Sequence, residues 1–132
     1  RREFAAFGWK KDPPDPQGVE SFAASRLDWE KPGRGPHAEM LGFYRRLISL
    51  RRAEPSLGCV PRKDVSVRVS GKTLSVFRRR GRSASAVVYN FGRSAVRPVL
   101  PRGRWKSVLD SEGRPAAAPL SPESFRVYLA GK

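Results

Sequence analysis

Between residues 65 and 129 apolar side chains return at every second position in short runs, and turn formers separate the runs. A period of two sends alternate side chains to opposite faces of an extended chain, so this half of the sequence is constrained to a sheet with at least one packed face. Val65, Val67 and Val69 share one face, with Ser66 and Arg68 on the other. Leu74, Val76 and Arg78 follow in a strand that starts at Thr73, and Gly71-Lys72 between the two runs suits a hairpin turn. Residues 85–91 form the most apolar run and are expected at the centre of the sheet. Residues 96–100 contain Pro98, which has no N–H to give a ladder, so an edge strand is expected there. Residues 105–109 and 124–129 complete six short strands, which predicts an antiparallel β-sandwich.

One long helix precedes the strands, over residues 36–54. Pro36 suits its first turn, where the missing N–H costs nothing, and Pro55 stops it. Met40, Leu41, Tyr44, Leu47 and Ile48 follow i, i+3, i+4 spacing. Phe43 and Leu50 widen this stripe, which predicts a helix touching two neighbours. The fold class is therefore mainly β with one long helix.

Residues 1–35 have little periodicity. Pro13, Pro14 and Pro16 forbid a helix through 12–17, and residues 20–25 can form one short helical turn. A loop of this length in a compact domain is commonly functional. Its aromatic residues Phe4, Phe7, Trp9, Phe22 and Trp29 need a surface to pack on, and that surface is expected to be protein outside this chain.

The chemistry the sequence can carry is limited. A glycosidase needs two carboxyl groups facing across one bond, about 5–5.5 Å apart in a retaining enzyme. Asp12 and Asp15 sit on the Pro-rich loop with no rigid element behind them, and suit turn positions. Asp28-Trp29-Glu30 places carboxylates beside an indole, which fits a sugar's hydroxyls and apolar ring face, and equally fits a solvated loop with a packed Trp. With one His and one Cys, a metal site short of an all-oxygen one is excluded. No nucleophile elbow, phosphate loop or dinucleotide fingerprint occurs. Cys59 is expected in a buried turn after the helix and His37 exposed in its first turn. No cofactor is expected. The formal net charge of +15 raises the question of nucleic acid. Yet the only run of three, Arg78-Arg79-Arg80, reads as a hairpin tip, and the aromatics fall in apolar strand positions rather than beside the cations, so nucleic acid is not favoured as a partner. No apolar stretch is long enough to span a bilayer and no signal pattern opens the chain, which points to a cytoplasmic location without a membrane partner.

Arg1-Arg2-Glu3-Phe4-Ala5-Ala6-Phe7-Gly8-Trp9, then Pro14-Asp15-Pro16-Gln17, then Phe22 with Ser25-Arg26-Leu27-Asp28-Trp29, resembles the region after the last barrel strand in the maltooligosyltrehalose trehalohydrolases. The helix from Leu41 to Arg52, with Pro55 and Leu57, resembles the final barrel helix of the wider alpha-amylase superfamily, a motif many members share. Val87-Val88-Tyr89-Asn90-Phe91 is similar to the central strand of their closing β-sandwich. The resemblance covers essentially the whole chain. It implies that residues 1–57 end a (β/α)8 barrel, as a loop over 1–35 and a helix over 36–54, and that residues 58–132 form the C-terminal β-sandwich domain. It implies a parent glycoside hydrolase of trehalose biosynthesis that cleaves the α-1,4 bond next to the terminal trehalose unit of maltooligosyltrehalose, with its catalytic acids upstream of residue 1. No catalytic residue is then expected here, and the chain alone is expected to be inactive. The partner would be the missing N-terminal barrel, and a maltooligosaccharide would bind only the full enzyme. Loops at the C-terminal ends of barrel strands build the site, so Phe7, Trp9, Asp15, Gln17, Asp28 and Trp29 are candidates for lining its mouth, as support ahead of direct sugar contact. Two other readings stand beside this one: a non-catalytic glucan-binding sandwich acting through Trp105 or Tyr128, and a basic nucleic-acid-binding protein.

Overall fold

A computed structural model describes residues 14–131 of the chain. The chain divides into two compact units, residues 1–43 and 44–132. In the first, α1 spans Val19–Ser25 and a 3-10 turn spans Lys31–Gly33. The helix α2 spans Gly35–Ala53, close to the expected bounds. Its start coincides with Gly35 at φ 49° and Pro36 in the first turn, and it ends before Pro55. Among the described residues α2 has no buried residue, and Met40 and Ile48 are exposed.

The second unit is built on one antiparallel sheet, with β1 Val65–Ser70, β2 Thr73–Arg80, β3 Ser83–Asn90, β4 Trp105–Asp110 and β5 Ser124–Ala130 in the order β1-β2-β3-β5-β4. The most apolar run is the central strand, as its composition demands. Both hairpins have two-residue turns: Ser70 pairs with Thr73 around Gly71-Lys72, and Arg80 pairs with Ser83 around Gly81-Arg82. Gly71 and Gly81 have φ 55° and 57°. A positive φ at the first turn position matches the strand twist, and glycine reaches it without a Cβ clash.

The register sorts the side chains into two faces. On the closed face Ala86, Val88 and Tyr128 form the core with Leu120, and Phe77, Val96, Leu100 and Trp105 pack around it. The sandwich's second layer is two irregular segments, around Val96–Leu100 and Leu120, joined by the single bridge Val96↔Leu120. The expected edge strand at 96–100 is thus displaced. The sheet edges are β1 and β4, and the proline-bearing segment lies over the core, where no continuous ladder is required of it. On the other face Val67, Val76, Val87, Val127 and Leu109 lie in one row across the strands, and Val69, Leu74, Tyr89 and Phe125 in the next. Phe91 stacks on Tyr89 with ring centroids 6.0 Å apart. This face is partly covered by the 3-10 turn Pro55–Leu57, whose Ser56 is tied to β3 by Ser56 N–H to Ser83 Oγ at 3.2 Å and Ser83 Oγ to Ser56 Oγ at 2.9 Å. Toward β1 it opens: Val67 is 59% exposed and Val69 69%. Cys59, expected in a buried turn, is exposed. The chain buries Ser56 and Leu57 against the sheet, which leaves the residue two positions on facing solvent.

Two polar groups hold the second layer. Asn90, buried at the end of β3, donates from Nδ2 to the carbonyls of Ser94 and Ser121, each at 2.8 Å, and accepts at Oδ1 from Gly92 N–H at 2.9 Å. Arg126 in β5 has no solvent exposure. Its Nε donates to Asp110 Oδ2 at 2.6 Å, and its Nη1 to the carbonyls of Ala116 and Ala118 at 3.1 and 2.7 Å. The pairing depends on a β-bulge. Ser107 pairs with Tyr128, but Leu109, not Val108, pairs with Val127. The extra residue moves Asp110 from the face it would otherwise take to the face of Arg126. Burial alone would raise the Asp110 pKa, but the N–H of Arg114, the Arg126 guanidinium and the N–H of Glu112 outweigh it, and the net shift is downward.

Loss of one partner strands the other charge in an apolar setting, the costly case for a buried ion pair. Asp110→Ala is expected to destabilise the fold by about 3–5 kcal/mol in a urea titration, whereas Asp110→Leu with Arg126→Met should cost much less than the sum of the two single changes. The pH dependence has a definite sign. Asp110 is protonated in the unfolded chain at a higher pH than in the folded one, so the unfolded chain binds the proton first on acidification. The advantage of the parent protein over Asp110→Asn should therefore be constant above about pH 5 and decline as pH falls past about 4, measured as the difference in urea midpoint.

Candidate functional site

The candidate loop residues fall into three sets. Phe7 and Trp9 lie outside the described residues. Asp15 and Gln17 share a turn: Asp15 Oδ1 accepts the Gln17 N–H at 3.0 Å, and the Asp15 carbonyl accepts from Gly18 N–H at 3.0 Å and from Ser21 Oγ. The loop thus feeds directly into α1, and the proline-rich sequence before Gly18 keeps the helix from starting earlier. Asp28 and Trp29 lie in a second turn of the same kind, in which Asp28 Oδ1 accepts the Glu30 N–H at 3.0 Å and the Asp28 carbonyl accepts the Lys31 N–H at 3.2 Å. An Asx turn is the ordinary role for such residues and supplies the rigidity that composition alone did not promise.

These side chains face water. Asp15, Gln17 and Asp28 are exposed, and the Trp29 ring is 81% exposed. Among the described residues no hydrogen bond or ion pair joins the Asp15 turn to the Asp28 turn. The ion pair in this stretch is Arg34 to Glu30 at 3.7 Å, one helical turn apart and fully solvated. General acid–base catalysis requires a carboxyl pair fixed across the substrate, with one partner's proton affinity raised by burial or by the other. Two carboxylates on separate solvated turns do not meet that requirement. The segment carries an exposed indole, two carboxylates held in Asx turns and an amide. Among the described residues no three His, Cys, Asp or Glu side chains are grouped so as to hold a metal ion, and no helix is long and apolar enough to cross a membrane.

Two groups considered for glucan and nucleic acid are engaged in the fold. Tyr128 is buried in the core, so its ring is unavailable to a sugar. Arg78, the first of the three-arginine run, donates to the carbonyls of Leu57 and Gly58 at 3.3 and 2.6 Å. Alternation along β2 sends it and Arg79 to opposite faces, so the run is not one basic patch. Trp105 is half buried, and its Nε1 donates to the Pro101 carbonyl at 2.9 Å. The sequence reading missed a basic groove beside Trp105, lined by Lys63, Arg79, Arg102 and Arg104. Its signal was present in Arg102-Gly103-Arg104-Trp105, but the strand order that brings Arg79 near is not visible locally.

The chain is similar over its length to known proteins. A malto-oligosyltrehalose trehalohydrolase of Rhizobium sp. (strain M-11) is 41% identical over 101 residues, 74% of this chain and 16% of that protein. One from Deinococcus radiodurans is 33% identical over 123 residues, 86% of this chain and 20% of that protein, and one from Arthrobacter ramosus is 55% identical over 56 residues, 40% of this chain and 9% of that protein. The chain thus spans a fifth or less of the curated relatives it matches. A crystal structure described as an alpha amylase from Salmonella typhimurium superposes with a TM-score of 0.75 at 26% identity, covering 98% of this chain and 22% of that one. The antiparallel sheet and its covering segments are therefore found within that larger protein. The family described as Domain of unknown function (DUF3459) matches residues 62–127, half of the sequence and all five strands but the last residues of β5, and the chain belongs to this family.

Proposed function

We propose that this chain is the C-terminal part of a glycoside hydrolase that releases trehalose from maltooligosyltrehalose by cleaving the adjacent α-1,4 bond, and that it is inactive alone. The observation that carries the reading is the run of trehalohydrolase relatives, each matched over a small share of its length. In this reading the catalytic acids stand on the part of the enzyme that precedes residue 1, in a barrel that residues 1–57 complete, and residues 58–132 are the closing domain. The surface agrees with that division. Ile48 of α2, and separately Val67 and Val69 of β1, are apolar and exposed, a pattern expected of surfaces that a larger protein covers. The reading also places the enzyme in the cytoplasm and gives Phe7, Trp9, Asp15, Gln17, Asp28 and Trp29 a position at the barrel mouth, where they brace the substrate cleft.

The direct test is the mass of the protein made from its native locus, with trehalose release from maltooligosyltrehalose assayed on the same sample. A product far above 14.7 kDa that releases trehalose supports the reading. A 14.7 kDa product that releases trehalose, or a large one that does not, sinks it. In the active enzyme Trp29→Ala should raise KM several-fold, up to about tenfold, with a smaller change in kcat, as expected for lost ground-state binding. A second consequence concerns the isolated chain. It should bind a hydrophobic dye or self-associate in sedimentation, and Val67→Thr with Val69→Thr should reduce either effect; a monomeric, dye-free chain would contradict the open face.

A further inference from the structure

At the end of the sheet where β2 turns into β3, the closed face leaves a groove of about 430 Å3, within the range of small-ligand pockets. The register explains its shape. Ser66 pairs with Phe77, Arg79 with Ala84 and Trp105 with Ala130, so all six belong to the face that carries the core. Ala84 and Ala130 carry only methyl groups; Trp105 pairs with Ala130, Arg79 with Ala84, and the Phe77 ring lies one step along β2, opposite Ala86. The covering layer ends at Leu100 and the chain then swings aside through Pro101–Arg104. That loop is fixed rather than loose. Gly103 takes φ 135°, a value that favours glycine. The Pro101 carbonyl holds the Trp105 indole, and the Arg104 carbonyl accepts Gly131 N–H at 2.8 Å. One aromatic wall is thus held in orientation by hydrogen bonds that do not block the groove.

The rim is charged. Lys63, Arg78, Arg79, Arg102 and Arg104 line the groove against a single acid, Asp64, and Arg78 is held by the carbonyls of Leu57 and Gly58. The other four cations are exposed, and among the described residues none of them is in an ion pair. Like charges gathered from three separate chain segments repel one another, and a bound anion would relieve that repulsion. A neutral saccharide would gain little from the four cations, and a bare inorganic anion would gain little from the rings and methyl groups. The geometry points to a binding site for a phosphate monoester carried on a ring, a sugar phosphate or a nucleotide, with the ring over Ala84 and Ala130 beside Trp105 and the phosphate at the arginine rim. Guanidinium groups suit this role because they offer paired N–H donors to phosphate oxygens. The site requires no catalytic group and is separate from the hydrolytic reading above.

The test is a titration of the protein made from its native locus, followed in amide and indole proton–nitrogen spectra, with glucose 6-phosphate, AMP, glucose and inorganic phosphate as separate probes. Saturable shifts at the Trp105 indole, Gly103 and Gly131 are expected with at least one of the two phosphate esters, and the better ester identifies the ring as saccharide or base. Glucose and inorganic phosphate should each bind at least about tenfold more weakly. Arg102→Ser with Arg104→Ser should weaken the ester by about tenfold or more. Arg45→Ser with Arg52→Ser on α2 removes the same charge and should leave the affinity unchanged. The proposal is overturned by shifts scattered over the basic surface, by equal loss in the two double variants, by glucose binding as well as the esters, or by no saturable shift with either ester at millimolar concentration.

Discussion

A guanidinium without solvent exposure sits at the middle of the closed face, and three stretches of chain converge on it. Arg126 comes from β5, Asp110 from the end of β4, and the carbonyls of Ala116 and Ala118 from the segment that leads to Leu120. Taking such a group out of water costs several kcal/mol, roughly, and only excellent geometry with further hydrogen bonds offsets it. The structure supplies both at Nε and Nη1, while Nη2 is buried without a hydrogen-bond partner among the described residues. Nε meets a carboxylate oxygen at 2.6 Å, and the other carboxylate oxygen is occupied by the N–H groups of Glu112 and Arg114 at 2.9 and 3.1 Å. The turn after β4, the register of β4 against β5 and the path of the covering segment are therefore parts of one arrangement. Slip β4 by the single bulged residue, and Asp110 faces the wrong side.

This dependence explains how so thin a second layer can close the core. Leu120 is fully buried among Ala86, Val88 and Tyr128, but its segment has only one bridge to its neighbour, at Val96. A sandwich with two full sheets would fix such residues by ladders. Here Arg126 on one side and Asn90 on the other fix backbone carbonyls on both flanks of Leu120, and the hydrophobic contact follows. The polar hubs position and the apolar side chains stabilise. The opposite face has no such hub toward β1, and its outer valines stay exposed.

The local features of this fold were readable in the sequence because they depend on neighbours along the chain. Gly71 and Gly81 mark turns whose φ values only glycine adopts easily, Pro55 ends the helix, and the 85–91 run announces the central strand. Features set by distant partners were not readable. Arg126 sits in Ser124-Phe125-Arg126-Val127-Tyr128, where alternation reads it as a solvent-facing residue between two apolar ones. Its burial depends on Asp110, sixteen residues away, and on a bulge that no single residue announces. Residues 96–100 have a strand's composition, yet Pro98 lies on a covering segment instead of a sheet edge, because the edges were already taken by β1 and β4. Of the candidate site, the Asx geometry of Asp15 and Asp28 agrees with their residue types, while the groove at Trp105 arises from strand order and was out of reach of any local pattern.

The two faces of the sheet also separate two kinds of interaction. The apolar rows, Val67 through Leu109 and Val69 through Phe125, open only toward β1 and belong to the face opposite the core, and alternation within β2 places Val76 there while Phe77 and Arg79 lie on the other face. A surface that docks on protein must shed water over a wide apolar area. A surface that receives a charged small molecule must stay open to solvent and keep its cations unpaired. One face cannot easily serve both needs, since docking would bury the charges and free charges would oppose docking. The strand alternation resolves the conflict within a single layer, with the exposed valines of β1 on one face and Arg79 on the other.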